Sequence, residues 1–230
     1  MAEELKETDL DRLDGESSSV RLVRDDYGLA LVGDGMELRG DFSRMLPRLR
    51  QGRLQQELLV KAARIKGAEA PTAVDCTAGL GEDSLLLAAA GFTVTLFERD
   101  QTIAALLADA LIRAAADPRL AEVVGRMTLV TGDSVAGLAA LPEPPDVVYL
   151  DPMFPARTKS AAVKKKFQLL HHLEQPCEEE EALVAAALAA QPRKVVIKRP
   201  AKGALLAGMK PSYSVAGKAV RYDVLVPPRP

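Results

Sequence analysis

The rhythm of residues 72–197 constrains the fold more than any other feature of this chain. Short β-branched and apolar runs at Thr72–Cys76, Thr93–Phe97, Met127–Thr131, Asp146–Leu150 and Lys194–Ile197 alternate with longer segments. Three of those segments, Asp83–Ala90, Thr102–Ala116 and Glu179–Ala190, are rich in Ala and Leu and read as helices. Strands joined through helices run parallel, because a parallel pair needs a long crossover rather than a tight turn. The expected fold is α/β, a doubly wound and mostly parallel sheet. Tyr213–Val215 and Val220–Val226, separated by Ala216-Gly217-Lys218, add a closing hairpin.

Ahead of the sheet the character changes. Residues 1–16 hold seven acids against two bases and no apolar signal segment, so residues 1–19 are expected to form a disordered acidic leader. Residues 20–67 are expected to form a small β-rich cap. Val20–Val23 and Leu29–Val32 alternate around the turn-forming Asp25-Asp26-Tyr27-Gly28, and Met36–Phe42 offers a third strand. Leu54, Leu58, Ala62 and Ile65 then recur at helical spacing up to Lys66-Gly67. Residues 68–230 form the main domain in this reading, and 230 residues suffice for one full α/β core with an appended piece.

Composition narrows the functional classes. The longest apolar stretch, Ala182–Ala190, is short and bounded by Glu181 and Gln191-Pro192, so no membrane partner and a cytoplasmic location are expected. Cys76 and Cys177 lack His or Cys partners at metal spacing, and His171 and His172 read as helix-surface residues; reduced thiols and no metal are expected. The net charge is -2, yet the leader alone is strongly acidic, so bases exceed acids in the remainder. They cluster at Arg44, Arg48, Arg50 and Arg53, at Arg157, Lys159, Lys164, Lys165 and Lys166, and at Arg193, Lys194, Lys198, Arg199 and Lys202. Such clusters are commonly solvated faces, but beside a site they can contact nucleic-acid phosphates.

The chemistry-bearing residues fall at strand ends. Asp75-Cys-Thr-Ala-Gly79-Leu-Gly81 follows the first strand and opens a helix. Its glycines permit a tight turn and close approach of a ligand, in a form nearer to S-adenosylmethionine loops than to the dinucleotide fingerprint, whose third glycine position is Ser84. Glu98 ends the second strand, where an acid can accept from ribose hydroxyls. Asp133 and Ser134 follow the third strand and either reach an adenine edge or cap a helix. Asp151 ends Val147-Val-Tyr-Leu-Asp-Pro-Met-Phe-Pro155, where Pro152 and Pro155 cannot continue a ladder. All of these lie on the carboxyl edge, where open α/β sheets keep their sites.

The acid-proline-aromatic order resembles the Asp/Asn-Pro-Pro-Tyr/Phe loop of methyltransferases acting on exocyclic base amines. That likeness gives Asp151 and the Pro152 carbonyl as acceptors for a base NH2 and Phe154 as a stacking face. A wider resemblance rests on Thr77-Ala-Gly-Leu-Gly81, Glu98-Arg99, Tyr149-Leu-Asp-Pro-Met-Phe-Pro155, Lys159-Ser-Ala161 with Val163-Lys-Lys165, and Val195-Val-Ile-Lys-Arg-Pro200. Together these closely resemble the RsmJ family of bacterial 16S rRNA guanine-N2 methyltransferases; Gly28-Leu-Ala30 agrees more loosely. The resemblance implies a class I methyltransferase-like sheet, S-adenosylmethionine as donor with S-adenosylhomocysteine as product, and guanine 1516 of 16S rRNA, free or in the small ribosomal subunit, as acceptor. It implies cofactor contacts at Glu82, Asp83, Glu98, Arg99, Asp133, Ser134 and Asp151, beside Asp75, Gly79 and Gly81 of the loop. Glu82 stands where the family pattern has a base, so a backbone contact is expected there. RNA contacts are expected at Arg157, Lys159, Lys164, Lys165, Lys198 and Arg199. The rivals are a nicotinamide-dependent dehydrogenase, a DNA or other RNA amino-methyltransferase, and a non-catalytic RNA-binding protein on the same fold.

Overall fold

The computed structural model describes residues 20–33, 35–152 and 180–228. The expectations placed on the leader 1–19, on Phe154, Arg157, Lys159, Lys164 and Lys165, and on His171, His172 and Cys177 lie outside the described residues.

The cap begins with β1 (Arg21–Asp25), β2 (Gly28–Gly33) and β3 (Met36–Leu38), an antiparallel sheet in that order. Two short helices follow, α1 (Leu46–Leu49) and α2 (Leu58–Ala63). The continuous helix expected through residues 54–65 does not form. Leu54–Gln56 is a separate 3-10 turn, and Glu57 between the two leaves helical geometry at φ -58°, ψ 130°. The reason is non-local: the Glu57 carboxylate accepts both Arg48 Nε and Nη2, at 2.8 and 2.7 Å, and this paired grip ties the break in place.

Seven strands make the main sheet: β4 (Thr72–Asp75), β5 (Thr93–Glu98), β6 (Met127–Thr131), β7 (Val147–Leu150), β8 (Lys194–Pro200), β9 (Tyr213–Ala216) and β10 (Val220–Leu225). Their order is β6-β5-β4-β7-β8-β10-β9, parallel through β8 and antiparallel in the closing hairpin. The connections carry α3 (Glu82–Ala89), α4 (Gln101–Ala115), α5 (Ala121–Val124), α6 (Ser134–Ala139) and α7 (Glu180–Ala189). A central parallel strand is covered on both faces, which is why Val147, Val148, Tyr149 and Leu150 run without alternation and are all fully buried. On one face Leu85, Phe92, Leu107 and Tyr149 share a core; on the other Val74, Phe97, Leu138, Val148 and Leu183 do. Each large apolar side chain so buried contributes about 1.5–3 kcal/mol.

Asp109 of α4 clasps the cap to this sheet. Only 6% exposed, it accepts from Leu29 N of β2 at 3.0 Å, Arg24 Nη1 at 2.8 Å and Arg113 Nε at 2.7 Å. Among the described residues no helix is long and apolar enough to cross a membrane.

Candidate active site

β4 pairs with β5 on one side and β7 on the other, so the chain reverses direction across the sheet at this strand. Helices leaving its two sides open a crevice at the carboxyl ends. Three loops meet there.

The first follows β4. Ala78 N donates to Phe97 O at 3.1 Å and Gly81 N to Ala78 O at 2.8 Å, which folds the loop tightly before α3. Gly79 and Gly81 both take positive φ, +53° and +76°, where a side chain is strained. They differ in surroundings. A Cβ on Gly81 would lie 2.7 Å from Leu107 Cδ1 and 3.1 Å from Phe42 Cζ, whereas one on Gly79 would meet nothing within 4 Å. Gly81 therefore lets the loop pack on the core and cap, and Gly79 faces open space at the crevice. Below them Asp75, 1% exposed, accepts Ser84 Oγ–H at 2.5 Å and Thr77 N–H at 3.0 Å. Burial pushes its pKa up to about 7, with both hydrogen bonds pulling the other way.

The second site element is Glu98 with the loop after β6. The Glu98 carboxylate accepts from Gly79 N and Asp100 N, each at 2.9 Å, so it braces the glycine loop; each oxygen keeps a further lone pair. Burial raises its pKa, opposed by those amides. Arg99 is exposed. Asp133, also exposed, caps α6 by accepting from Ala136 N at 3.0 Å, and Ser134 behind it is buried. At the start of α3 Glu82 is exposed and Asp83 half-buried.

The third element centres on Asp151. Its N–H donates to Thr77 Oγ1 at 2.7 Å, tying the end of β7 to the glycine loop. Its Oδ2 lies 2.9 Å from Lys198 Nζ, and the same ammonium donates to Asp83 Oδ2 at 2.7 Å. Tyr149 Oη donates to that Asp83 oxygen at 2.7 Å. Burial raises the Asp151 pKa and Lys198 counters it. For Lys198 burial acts against the charge, but Asp83 and Asp151 outweigh it and hold the pKa above its ordinary value. Burial likewise keeps the Tyr149 phenol far from ionising. Pro152, next in the chain, is buried.

The basic pair at the end of β8 differs from the expectation. Arg199 is 3% exposed, its Nε donating to Ala204 O at 2.7 Å, and Lys198 is turned into two carboxylates rather than outward. Arg199 is therefore buried rather than on a solvated face, and the partly exposed Lys198 has its ammonium engaged by carboxylates. Sequence reasoning also missed Thr77, Ser84 and Tyr149 as members of the network. A signal for Lys198 was present: Val195-Val-Ile ends at the same sheet edge as Asp75 and Asp151, so the next residue belongs to the site.

Comparisons with known proteins agree on one family. The family described as "Putative SAM-dependent methyltransferase" matches residues 7–227. Ribosomal RNA small subunit methyltransferase J of Thioalkalivibrio sulfidiphilus is 46% identical over 224 residues, 93% of this chain and 88% of that protein. The protein of the same name from Aeromonas salmonicida is 47% identical over 169 residues, 73% and 68% of the two chains. A crystal structure of a SAM-dependent methyltransferase from Neisseria gonorrhoeae superposes with a TM-score of 0.76 at 33% identity, covering 93% of this chain and 85% of the other.

Proposed function

The chain belongs to the S-adenosylmethionine-dependent methyltransferase family that includes ribosomal RNA small subunit methyltransferase J, and on that premise we propose that it methylates the exocyclic N2 of guanine 1516 in 16S rRNA. The observation that carries the reading is the Asp151 carboxylate, set at the end of β7, tied to the glycine loop through Thr77 and faced by Lys198.

The residues fit the methyl donor. Gly79 presents backbone to open space where a Cβ would meet nothing, and Glu98, which braces it, retains acceptor capacity for ribose hydroxyls. Asp133 and Ser134 would serve the adenine end, and Asp75, Gly81, Glu82, Asp83 and Arg99 would complete the cradle. Bound S-adenosylmethionine supplies an electrophilic methyl on a sulfonium, so the acceptor nitrogen needs alignment more than deprotonation.

Alignment is the task of the β7 loop. Guanine N2 shares its lone pair with the ring, and acceptors at Asp151 and the Pro152 carbonyl would hold its two N–H bonds so that the lone pair faces the methyl. Asp151 acts as acceptor, not as a strong base; the surplus proton leaves N2 after transfer. A base in a stacked helix must be extruded to reach this loop, and Phe154 would replace part of the lost stacking. Arg157, Lys159, Lys164 and Lys165 would hold the flanking phosphates. In this reading residues 68–230 carry out transfer, residues 20–67 form the cap, and the partner is cytoplasmic 16S rRNA or the small subunit.

Tritiated-methyl transfer tests the proposal. Label is expected in 16S rRNA and is expected to vanish when guanine 1516 is replaced. Labelling of genomic DNA instead would overturn the substrate, and RNA binding without any transfer would make the protein a non-catalytic binder.

A further inference from the structure

We propose that Lys198 is a positioning residue for the transfer, its ammonium bridging Asp83 and Asp151 so that the Asp151 carboxylate keeps the orientation and charge state in which it accepts the substrate amine's N–H. The proposal deepens the reading above and rests on it.

Three carboxylates converge where β4, β7 and α3 meet: Asp75, Asp83 and Asp151. Like charges this close disfavour one another, and a partly buried acid in their company tends to take up a proton. A protonated Asp151 would offer an O–H where the mechanism needs an acceptor. Asp75 is held by neutral donors alone, Ser84 Oγ–H and the N–H and hydroxyl of Thr77. Asp83 and Asp151 share a cation instead, at 2.7 and 2.9 Å.

The strand register explains how that cation arrives. Leu150 pairs with Ile197, so Lys198 stands one step further along β8, level with Asp151 on β7. Alternation then sends Lys198 to the same face as Val196, which shares a core with Tyr149 and with Leu85 of α3. That is the face on which Asp83 begins α3. The lysine thus joins the start of α3 to the end of β7, and a 26% exposed side chain whose ammonium is held by two carboxylates has little freedom to leave.

The groups around Asp151 can be named by element. Lys198 and Arg199 come from β8, Asp83 from α3, Asp75 from β4, Tyr149 from β7 and Tyr222 from β10. Both phenols are held far above neutrality by burial, so they stay uncharged. Lys198 stays charged, for the two carboxylates outweigh its burial. Asp151 is therefore the member whose protonation depends on its partner: burial raises its pKa, Lys198 lowers it, and Asp83 raises it.

Opposite shifts follow for two variants. Lys198→Met removes the cation and is expected to move the acid limb of the single-turnover rate profile upward by about one pH unit or more, with loss of about tenfold or more on that limb and recovery at higher pH. Asp83→Asn removes the competing anion but leaves an acceptor for Tyr149, and is expected to move the limb downward. Lys198→Arg is expected to leave it near the parent position. An activity-independent readout runs alongside: carbon-13 NMR of the Asp151 carboxyl, assigned with Asp151→Asn, whose midpoint is expected to rise in Lys198→Met and fall in Asp83→Asn. A midpoint unmoved by Lys198→Met would overturn the proposal, and so would a moved midpoint with an unmoved rate profile. Methyl transfer by the parent to 16S rRNA is scored separately, so failure of the substrate assignment shows there.

Discussion

Asp75 and Asp151 occupy equivalent places, the carboxyl ends of two adjacent parallel strands, yet their surroundings differ in kind. Asp75 is 1% exposed and meets only neutral donors; Asp151 has a side chain 36% exposed and meets an ammonium. Neutral hydrogen bonds offset only part of the cost of burying a charge, so Asp75 titrates near neutrality. A position on the functional edge of a sheet therefore does not fix a carboxylate's role. The partner does: Asp75 is suited to joining the loop to α3 through Ser84, and Asp151 to presenting a charged acceptor to the crevice.

The largest test of that contrast is the pH dependence of stability. Asp75 has a folded pKa near 7 against 3.8 in the unfolded chain, so between those values the folded state binds more protons. Its contribution is fully present below about pH 4 and is lost as pH rises toward 7, with a ceiling of about 4 kcal/mol from the linkage relation. Asp75→Asn mimics the protonated acid, its amide donating to Ser84 Oγ while its carbonyl accepts from Thr77 N. Thermal unfolding of the variant is expected to gain on the parent steadily from pH 4 to pH 7. Parallel curves would mean that Asp75 is charged throughout and that the two carboxylates do not differ.

Catalysis gives the next effect. Asp151→Ala is expected to slow single-turnover transfer at saturating donor about 100-fold or more, the scale of a lost transition-state contact, with RNA affinity little changed. Asp75→Asn is expected to transfer within about tenfold of the parent once donor binding is saturated. Equal losses would erase the distinction. Donor affinity is measured first for each variant, since both carboxylates border the cradle.

What could be read from residues alone follows the same divide between local and non-local causes. β6 was legible to the residue, Met127–Thr131, because a β-branched run bounded by turn residues is a local signal. The strand-end placement of Glu98, Asp133 and Asp151 on one edge was legible for the same reason. The end of β8 was not. The pattern stops at Ile197, where charges begin, but the strand continues to Pro200 because β10 pairs with it from Val220 onward. That pairing covers Arg199 with a neighbouring strand, and the register of β8 on β7 levels Lys198 with Asp151, which no count of bases reveals. The break at Glu57 and the Asp109 clasp were hidden likewise, since Arg48 lies outside the periodic segment that Glu57 interrupts and Leu29 lies far along the chain from Asp109.

Glu98 sharpens the comparison from the donor side. Glu98→Ala removes the carboxylate that braces Gly79, and the loss in S-adenosylmethionine affinity is expected to be about 1–3 kcal/mol, the range for hydrogen bonds to a charged group. Calorimetry showing an unchanged dissociation constant would move the ribose contact elsewhere. Asp75→Asn is expected to weaken the donor less, because its bonds stay inside the loop.

The smallest effects separate the two glycines that these carboxylates support. Gly81→Ala forces a Cβ to within 2.7 Å of Leu107 Cδ1 in a left-handed backbone, so strain and overpacking together are expected to cost about 1–3 kcal/mol of stability. Gly79→Ala meets the same backbone strain but no neighbour within 4 Å, and its stability loss is expected to be about 1 kcal/mol. Its effect belongs elsewhere: the new methyl fills the open space before the loop, so donor affinity is expected to fall while unfolding barely changes. Thermal melts and donor titrations on both variants decide it. If Gly79→Ala binds S-adenosylmethionine as the parent does, the open face of this glycine does not meet the cofactor, and the cradle must be built from Glu98 and Asp133 without the loop backbone between them.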